Sequence, residues 1–183
     1  MSNNHLGGHL NITHTDLGAL SYIKRKFNIN SMLDIGCGPG GQIQLAKQLG
    51  IESCIGIDGF PGPKRCKEVE IIIHDFTTGP YEHGDLQYDL AWSCEFVEHV
   101  YERYIPNFMN SFKNCRYVIM TYAPPGKGGH HHVNCREEQY WIEIFQNNNF
   151  TFDQEITNNL RKQSSMKNNF IRNHGLFFIN EAF

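Results

Sequence analysis

The segment from Met32 to Gly41 constrains the fold of this chain more than any other part of its sequence. An apolar run, Met32–Ile35, leads into the glycine-rich residues 36–41, and the helix-forming residues 42–49 follow. This order predicts a β-strand, a tight turn and an α-helix. Glycines in such a turn let a flat ligand lie against bare backbone, and the first N–H groups of the helix favour an anionic group. The segment therefore predicts a ligand site at a strand end.

Asp58 stands where nucleoside-binding folds place the acid that binds a ribose. Asp58 ends the apolar run 54–57, and such a carboxylate commonly accepts hydrogen bonds from a ribose hydroxyl pair. The pattern Gly36-x-Gly38-x-x-Gly41 also satisfies the dinucleotide fingerprint, so the glycines alone leave NAD binding open. Whether the ligand is NAD or another nucleoside-containing cofactor, the pattern places it at this turn.

The length and charge of the chain limit the classes of protein it can belong to. With 183 residues we expect one domain over residues 1–183, with an N-terminal helix or lid at 1–28 and a cofactor-binding core at 29–183. The net charge is −3 and Lys and Arg form no run, so no nucleic-acid partner is expected. No apolar stretch approaches the roughly 20 residues that cross a bilayer, so no membrane partner is expected.

Cysteine usage and the N-terminus indicate the compartment. The six cysteines form no Cys-x-x-Cys pair and several lie in apolar runs, which favours buried free thiols over disulfides or zinc ligands. Residues 1–10 lack the basic and apolar regions of a signal peptide. We therefore expect a cytoplasmic protein.

Apolar runs alternate with helical patterns along the chain, which predicts an α/β fold with a parallel sheet. The expected elements are strands at 31–35, 53–57, 68–73, 88–93, 116–122, 150–156 and 170–179, and helices at 13–27, 42–49, 95–109 and after a capping box of Asn134 and Glu137. Ligands in such sheets bind beyond the carboxyl ends of the strands. Asp34, Asp58, Asp75 and residues 93–95 fall at those ends, so we expect them to converge.

Four segments occur in an order that is typical of one family. They are Leu33–Gly40, Gly56–Asp58, His74–Phe76 and the stretch from Tyr88 to Val100. With these segments the chain resembles the class I S-adenosylmethionine-dependent methyltransferases, especially their small type 11/12/23 domains. The resemblance implies a Rossmann-like, doubly wound, seven-stranded α/β sheet, mostly parallel with the last strand antiparallel. It also implies S-adenosyl-L-methionine as cofactor and S-adenosyl-L-homocysteine as product.

The resemblance further implies which residues contact the cofactor. Asp34 would meet the amino group of the methionine part, Asp58 the ribose hydroxyls and Asp75 the adenine amino group. The implied cofactor-binding residues are Asp34, Gly36, Cys37, Gly38, Gly40, Asp58, Gly59, Phe60, Asp75, Phe76, Ser93, Cys94 and Glu95. The chain differs from the family pattern in one respect: Pro61 and Pro63 exclude the helix that relatives usually place after the position of Asp58.

Histidines are the candidate catalytic residues. A glycine- and proline-rich loop after the fifth expected strand carries His130, His131 and His132, and His99 either faces the pocket or has a structural role. We expect at least one of them to act as a general base or to orient the acceptor, because histidine has a pKa near ambient pH. Adjacent side chains diverge on an extended backbone, so the three do not predict a shared metal ion. One of them with His99 or Asp75 could hold a metal, but the spacing does not demand it, and no metal site is expected.

These features together predict methyl transfer to a hydroxyl group. We expect a small-molecule or saccharide acceptor, because the chain leaves few residues for an acceptor domain. Two alternatives remain at this point: an NAD-type oxidoreductase, and a non-catalytic module that binds S-adenosylmethionine.

Overall fold

The structure is a computed structural model that describes residues 5–6, 8, 11–62 and 65–183. Pro63 and most of the segment 1–10, on which expectations were placed above, lie outside the described residues. Among the helices of the described ranges, none has both the length and the apolar composition needed to cross a bilayer.

A seven-stranded mixed sheet organises the molecule. Its strand order is β3-β2-β1-β4-β5-β7-β6. β7 runs antiparallel to both of its neighbours, whereas the other neighbouring pairs are parallel. This arrangement confirms the predicted Rossmann-like sheet with an antiparallel last strand. The strands are β1 (Ser31–Ile35), β2 (Ser53–Asp58), β3 (Glu70–Ile73), β4 (Tyr88–Ser93), β5 (Cys115–Met120), β6 (Phe150–Phe152) and β7 (Leu176–Asn180).

Helices cover both faces of the sheet. They are α1 (Leu17–Phe27), α2 (Gly41–Gln48), α3 (Ile105–Lys113), α4 (Glu138–Gln146), α5 (Gln154–Gln163) and α6 (Phe170–His174). Apolar residues of α3 and α4 belong to one core cluster, and those of α1, α2, α5 and α6 belong to a second. Two cores separated by one sheet confirm the doubly wound architecture.

Side-chain alternation along the central strands creates the two cores. In β5, Val118 and Met120 lie in one cluster while Ile119 lies in the other, and all three are fully buried. β7 repeats the pattern, with Phe178 on the first side and Phe177 on the second. Successive residues of a strand point to opposite faces, so an apolar run buried on both faces becomes a central strand.

The helix expected at 95–109 is wrong in its first half. Two short 3₁₀ turns, Val97–His99 and Glu102–Tyr104, precede α3, which begins only at Ile105 with Pro106 in its first turn. Proline suits the first turn of a helix because its missing N–H would have no partner there. The strand β4 therefore leads into irregular backbone, and His99 lies in a 3₁₀ turn rather than in the expected α-helix.

Several other expected boundaries also differ from the structure. The N-terminal helix begins at Leu17 rather than at residue 13, because Asp16 caps it by accepting from the backbone N–H of Ala19. The capping box is wrong, since α4 follows Glu137 and its cap makes no side-chain hydrogen bond. The strands expected at 150–156 and 170–179 are shorter, because α5 begins after Asp153 and α6 occupies Phe170–His174.

Candidate active site

Hydrogen bonds to β2 fix the backbone of the glycine turn after β1. The N–H groups of Gly36 and Cys37 both donate to the carbonyl of Ile57, at 2.8 and 3.2 Å. Gly36 has a φ of +76°, and a Cβ there would lie 2.5 Å from the ring of Phe96. Only glycine adopts this conformation without strain at such a close approach. The turn therefore has to be bare backbone.

Asp58 fixes the turn from the end of β2. One of its carboxylate oxygens accepts from the N–H of Gly38 at 2.8 Å, and the other accepts from the N–H of Phe60 at 2.8 Å. Asp34, at 2% exposure, lies on the neighbouring strand, and burial followed by the charge of Asp58 raises its pKa well above the ordinary value. Each carboxylate oxygen has a second lone pair, so Asp58 can still accept from a ligand hydroxyl.

Asp75 and Phe76 follow β3 at the same edge of the sheet. One oxygen of Asp75 accepts from the N–H of Thr77 and the other lies 2.9 Å from Nε2 of His5. Burial alone would raise the pKa of Asp75, but the bonds from Thr77 and His5 outweigh it and lower the pKa. Phe76 is buried and meets Phe96 edge to face. The pair thus forms one wall of acid and aromatic ring.

The residues at the end of β4 have two roles: one joins neighbouring strands and the next two face the cavity. Ser93 is buried and its hydroxyl donates to the carbonyl of Ile35 at 2.9 Å, so it joins β4 to β1. Cys94 and Glu95 come next and face the cavity. Glu95 has a φ of +55°, and burial raises its pKa to about 7.

The histidines occupy different positions. Nδ1 of His99 lies 2.7 Å from the carbonyl of His130, and burial, followed by the charge of His132, lowers the pKa of His99 to about 4. Nδ1 of His132 lies 3.0 Å from the carbonyl of Lys127. His131 has a φ of +48° and its ring packs edge to face on Tyr101. The loop of residues 123–132, here called the histidine loop, is thus folded back on the residues after β4.

A cavity of about 270 Å³ collects most of these side chains at the carboxyl ends of the strands. Thirteen of the predicted site residues line it: Asp34, Gly36, Cys37, Gly38, Asp58, Gly59, Asp75, Phe76, Cys94, Glu95, His99, His130 and His132. Four do not line it: Gly40, Phe60, Ser93 and His131. The ring of Phe60 instead packs against Gly62, and Gly40 faces Val69 and Ile71.

Residues that precede α1 also line the cavity; a helix or lid was expected at 1–28, but none of these residues was predicted as a site residue. They include His5, Leu6, Ile12, Thr13 and His14. The hydroxyl of Thr13 accepts from the N–H of Gly41, and Gly8 lies so close to His130 that a Cβ there would be 2.7 Å from the ring. The segment is polar and has no periodicity, so the sequence did not indicate which of its residues would reach the cavity. It closes the cavity between the glycine turn and the histidine loop.

A sequence comparison agrees with this geometry. Residues 33–119 match the family described as "Methyltransferase domain". This region of the chain is therefore similar to that family, and the sheet order and the glycine turn agree with the fold of solved S-adenosylmethionine-dependent methyltransferases. The matched residues run from β1 to β5 and so include the first four strand ends that build the cavity.

One curated relative and several solved structures are similar to the chain. Norajmaline N-methyltransferase of Rauvolfia serpentina is 33% identical over 108 residues, which cover 51% of this chain and 36% of that protein. The chain thus spans about a third of the length of this relative.

The similar structures share the fold at low identity. Magnesium protoporphyrin IX methyltransferase from Synechocystis PCC 6803 with bound SAM has a TM-score of 0.57 at 15% identity, covering 88% of this chain and 76% of that chain. The methyltransferase domain of bacterial CtHen1-C has a TM-score of 0.59 at 17% identity, covering 90% and 96%. The plantazolicin methyltransferase BpumL, in complex with SAH and an analogue of desmethylPZN, has a TM-score of 0.59 at 14% identity, covering 88% and 82%.

Proposed function

We propose that the chain transfers the methyl group of S-adenosylmethionine to a hydroxyl oxygen of a small acceptor. The observation that carries this proposal is one cavity that touches the glycine turn at Gly36 and Gly38 and also the histidines His99 and His130. A sulfonium sulfur is already a good leaving group, so the protein mainly has to align the two reactants and exclude water. A cavity with a cofactor end and a histidine end supports that alignment.

His130 is the proposed general base. His99 has a pKa of about 4, so it is neutral near pH 7 but accepts a proton poorly. His130 is exposed at the rim of the cavity, where it can exchange a proton with solvent. In the proposed step the acceptor oxygen attacks the methyl carbon, and the C–S bond breaks with its electron pair moving to sulfur. The hydroxyl proton passes to the imidazole of His130.

A small molecule or a saccharide is the proposed acceptor. The residues that surround the histidine end come from the segment before α1 and from the histidine loop, which leaves room for a compact ligand. The similar proteins are named for norajmaline, magnesium protoporphyrin IX and plantazolicin, and these names differ too much to choose one acceptor. The histidines at one end of the cavity can hydrogen-bond to hydroxyl groups, which favours an acceptor that carries several of them.

The segment before α1 is proposed to act as a lid within a single methyltransferase domain. Its residues His5 and Thr13 bond to Asp75 and to the N–H of Gly41, which are both expected cofactor-side groups. A ligand that enters the cavity would have to displace or pass these contacts. Closure over the bound cofactor would then exclude water from the methyl group.

Binding of S-adenosylhomocysteine to the purified chain, measured by calorimetry, tests the cofactor end. Asp58→Asn should raise the Kd at least tenfold, because hydrogen bonds to a charged group contribute about 1.5–3 kcal/mol. Asp89→Asn is the matched control, since Asp89 accepts from the N–H groups of Asn30 and Ser31 at the opposite end of the sheet. Equal losses in the two variants, or no heat with the wild type, would contradict the proposed site.

Transfer of a labelled methyl group to a panel of hydroxylated small molecules and saccharides tests the reaction. We expect His130→Ala to lower kcat by about 100-fold with an unchanged KM for S-adenosylmethionine, as for loss of a general base. Saturable binding of NAD without binding of S-adenosylhomocysteine would support an oxidoreductase instead. Binding of S-adenosylhomocysteine without transfer to any acceptor would support a non-catalytic module.

A further inference from the structure

We propose that Glu98, His99 and His132 form a binding site for a divalent transition-metal ion. The sequence separates His132 from the other two by the whole of α3 and β5, yet the structure brings them together. One potential ligand atom from each residue lies within 4.8 Å of the other two. Three groups at such distances can be bridged by a single ion with bonds of roughly 2 Å, after small side-chain adjustments.

The carboxylate of Glu98 is the first reason to place a cation there. Glu98 is 0% exposed, and neither of its carboxylate oxygens accepts from an N–H group or a hydroxyl of the described residues; the side chain that interacts with it is the carboxyl of Glu95, another acid. A buried carboxylate without such a donor is costly, and such groups are normally paired or bound to metal. Its backbone carbonyl accepts from the N–H groups of Val133 and Asn134, so the residue is fixed in place.

The two imidazoles are the second reason. Nδ1 of His99 lies 2.7 Å from the carbonyl of His130, and Nδ1 of His132 lies 3.0 Å from the carbonyl of Lys127. A carbonyl oxygen can only accept, so each Nδ1 carries the proton and each Nε2 keeps its lone pair. Metal-binding histidines commonly donate their other ring N–H to a backbone carbonyl in this way. The hydrogen bonds that orient metal-binding histidines are therefore already present.

The donor set indicates the class of metal. Two imidazoles and one carboxylate suit Zn²⁺, Fe²⁺ or Co²⁺ with open coordination positions, whereas Mg²⁺ and Ca²⁺ prefer oxygen ligands. The thiol of Cys135 lies 3.7 Å from Nδ1 of His132, which is the protonated side of that ring. The site therefore consists of the three named residues.

Open positions on such an ion would be available to an acceptor. His99 and His132 both line the cavity, as does Glu95, so the site stands at its histidine end. A hydroxyl oxygen bound to a divalent metal loses its proton more readily. This role on the acceptor rests on the proposed methyl transfer, whereas the metal site itself rests on the side chains alone.

Titration of tag-free, EDTA-treated full chain with Co²⁺, followed by visible absorption and calorimetry without acceptor, tests the site. We expect saturable binding of one ion, with His132→Ala raising the Kd by more than about tenfold. His131→Ala is the matched control, because it changes the neighbouring histidine of the same loop and should leave the Kd unchanged. Glu98→Gln should weaken Co²⁺ binding as His132→Ala does.

Binding of S-adenosylhomocysteine is measured on the same samples, so that the two proposals fail separately. No saturable Co²⁺ spectrum, in wild-type chain that still binds S-adenosylhomocysteine, overturns the metal site and leaves the proposed function intact. Loss of Co²⁺ binding in His131→Ala to the same degree as in His132→Ala overturns the assignment of ligands. Binding of Mg²⁺ with an affinity equal to that of Co²⁺ overturns the nitrogen-based donor set.

Discussion

Gly36 is the residue at which backbone conformation and ligand access depend most directly on one missing side chain. A substitution to alanine would force a side chain into a positive φ and place its Cβ 2.5 Å from Phe96. The left-handed conformation alone costs roughly 1–2 kcal/mol, and overpacking adds about 1–3 kcal/mol. We therefore expect Gly36→Ala to lower the free energy of unfolding by roughly 2–5 kcal/mol, measured in urea, and to weaken binding of S-adenosylhomocysteine.

Gly128→Ala provides the control for this prediction. Gly128 lies in the exposed loop before the histidines, and nothing stands within 4 Å of the position its Cβ would take. The unfolding free energy of this variant should stay within about 0.5 kcal/mol of the wild type. A Gly36→Ala chain as stable as Gly128→Ala would show that the turn can rearrange.

At the scale of single residues, sequence reasoning succeeds where chemistry and spacing are local. Asp34, Gly36 and Asp58 could be predicted to converge because parallel strands end at one edge of a sheet. Glu98 could not be recognised as a buried acid without an N–H or hydroxyl donor, since its surroundings depend on the fold of the histidine loop around it. His131 could not be separated from its neighbours, because a positive φ at that residue turns its side chain away.

At the scale of elements, Asp16 joins α1 to the end of α5, and both helices lie on the same side of the sheet. It caps α1 through the N–H of Ala19, and it also accepts from the N–H of Ser165 and the hydroxyl of Ser164 beyond the end of α5. Asp16 is fully buried. Removing it deprives a cap and two cross-helix donors of their acceptor at once.

Asp16→Ala should therefore lower the free energy of unfolding by about 2–4 kcal/mol, measured in urea at neutral pH. Asp153→Ala is the matched control, because Asp153 caps α5 through a single bond to the N–H of Ile156. Loss of one cap costs typically about 1 kcal/mol. Equal losses in the two variants would mean that the bonds to Ser164 and Ser165 contribute nothing.

The elements were predictable where one periodicity held without interruption. β1 and β4 have the expected bounds because their apolar runs are short, buried on both faces and bounded by turn residues. The prediction of one helix over residues 95–109 failed because Phe96, Val100, Tyr104 and Phe108 have a four-residue spacing. Two 3₁₀ turns followed by α3 pack the same side chains into the core equally well. Ile156 and Leu160 of α5 carried a helical signal that the alternation of Phe150 and Phe152 obscured.

At the scale of the whole molecule, His83 makes stability depend on pH. It is buried, and its Nε2 lies 2.9 Å from the hydroxyl of Ser111 on α3. Burial, followed by the charge of His74, lowers the pKa of His83 below the ordinary value of 6.5. The unfolded chain thus takes up a proton at this residue before the folded chain does. The contribution of His83 is full above about pH 6.5 and decreases as the pH falls below it.

His83→Gln should consequently lose less stability than the wild type between about pH 7.5 and about pH 5.5, measured by urea unfolding across that range. Ser111→Ala is the control, since it removes the hydrogen bond but keeps the titrating ring. Its unfolding free energy should be lower throughout and retain the steep decrease toward acid. A His83→Gln chain with the wild-type slope would contradict the assignment.

The position of β7 determines when the sheet can be completed during synthesis. β7 is the last strand along the chain, yet it lies between β5 and β6. A ribosome that has released everything up to residue 170 has therefore exposed β5 as an open edge and β6 with no neighbour to pair with. Such an edge can recruit foreign strands. The nascent protein consequently remains vulnerable to misassembly until β7 pairs with β5 and β6.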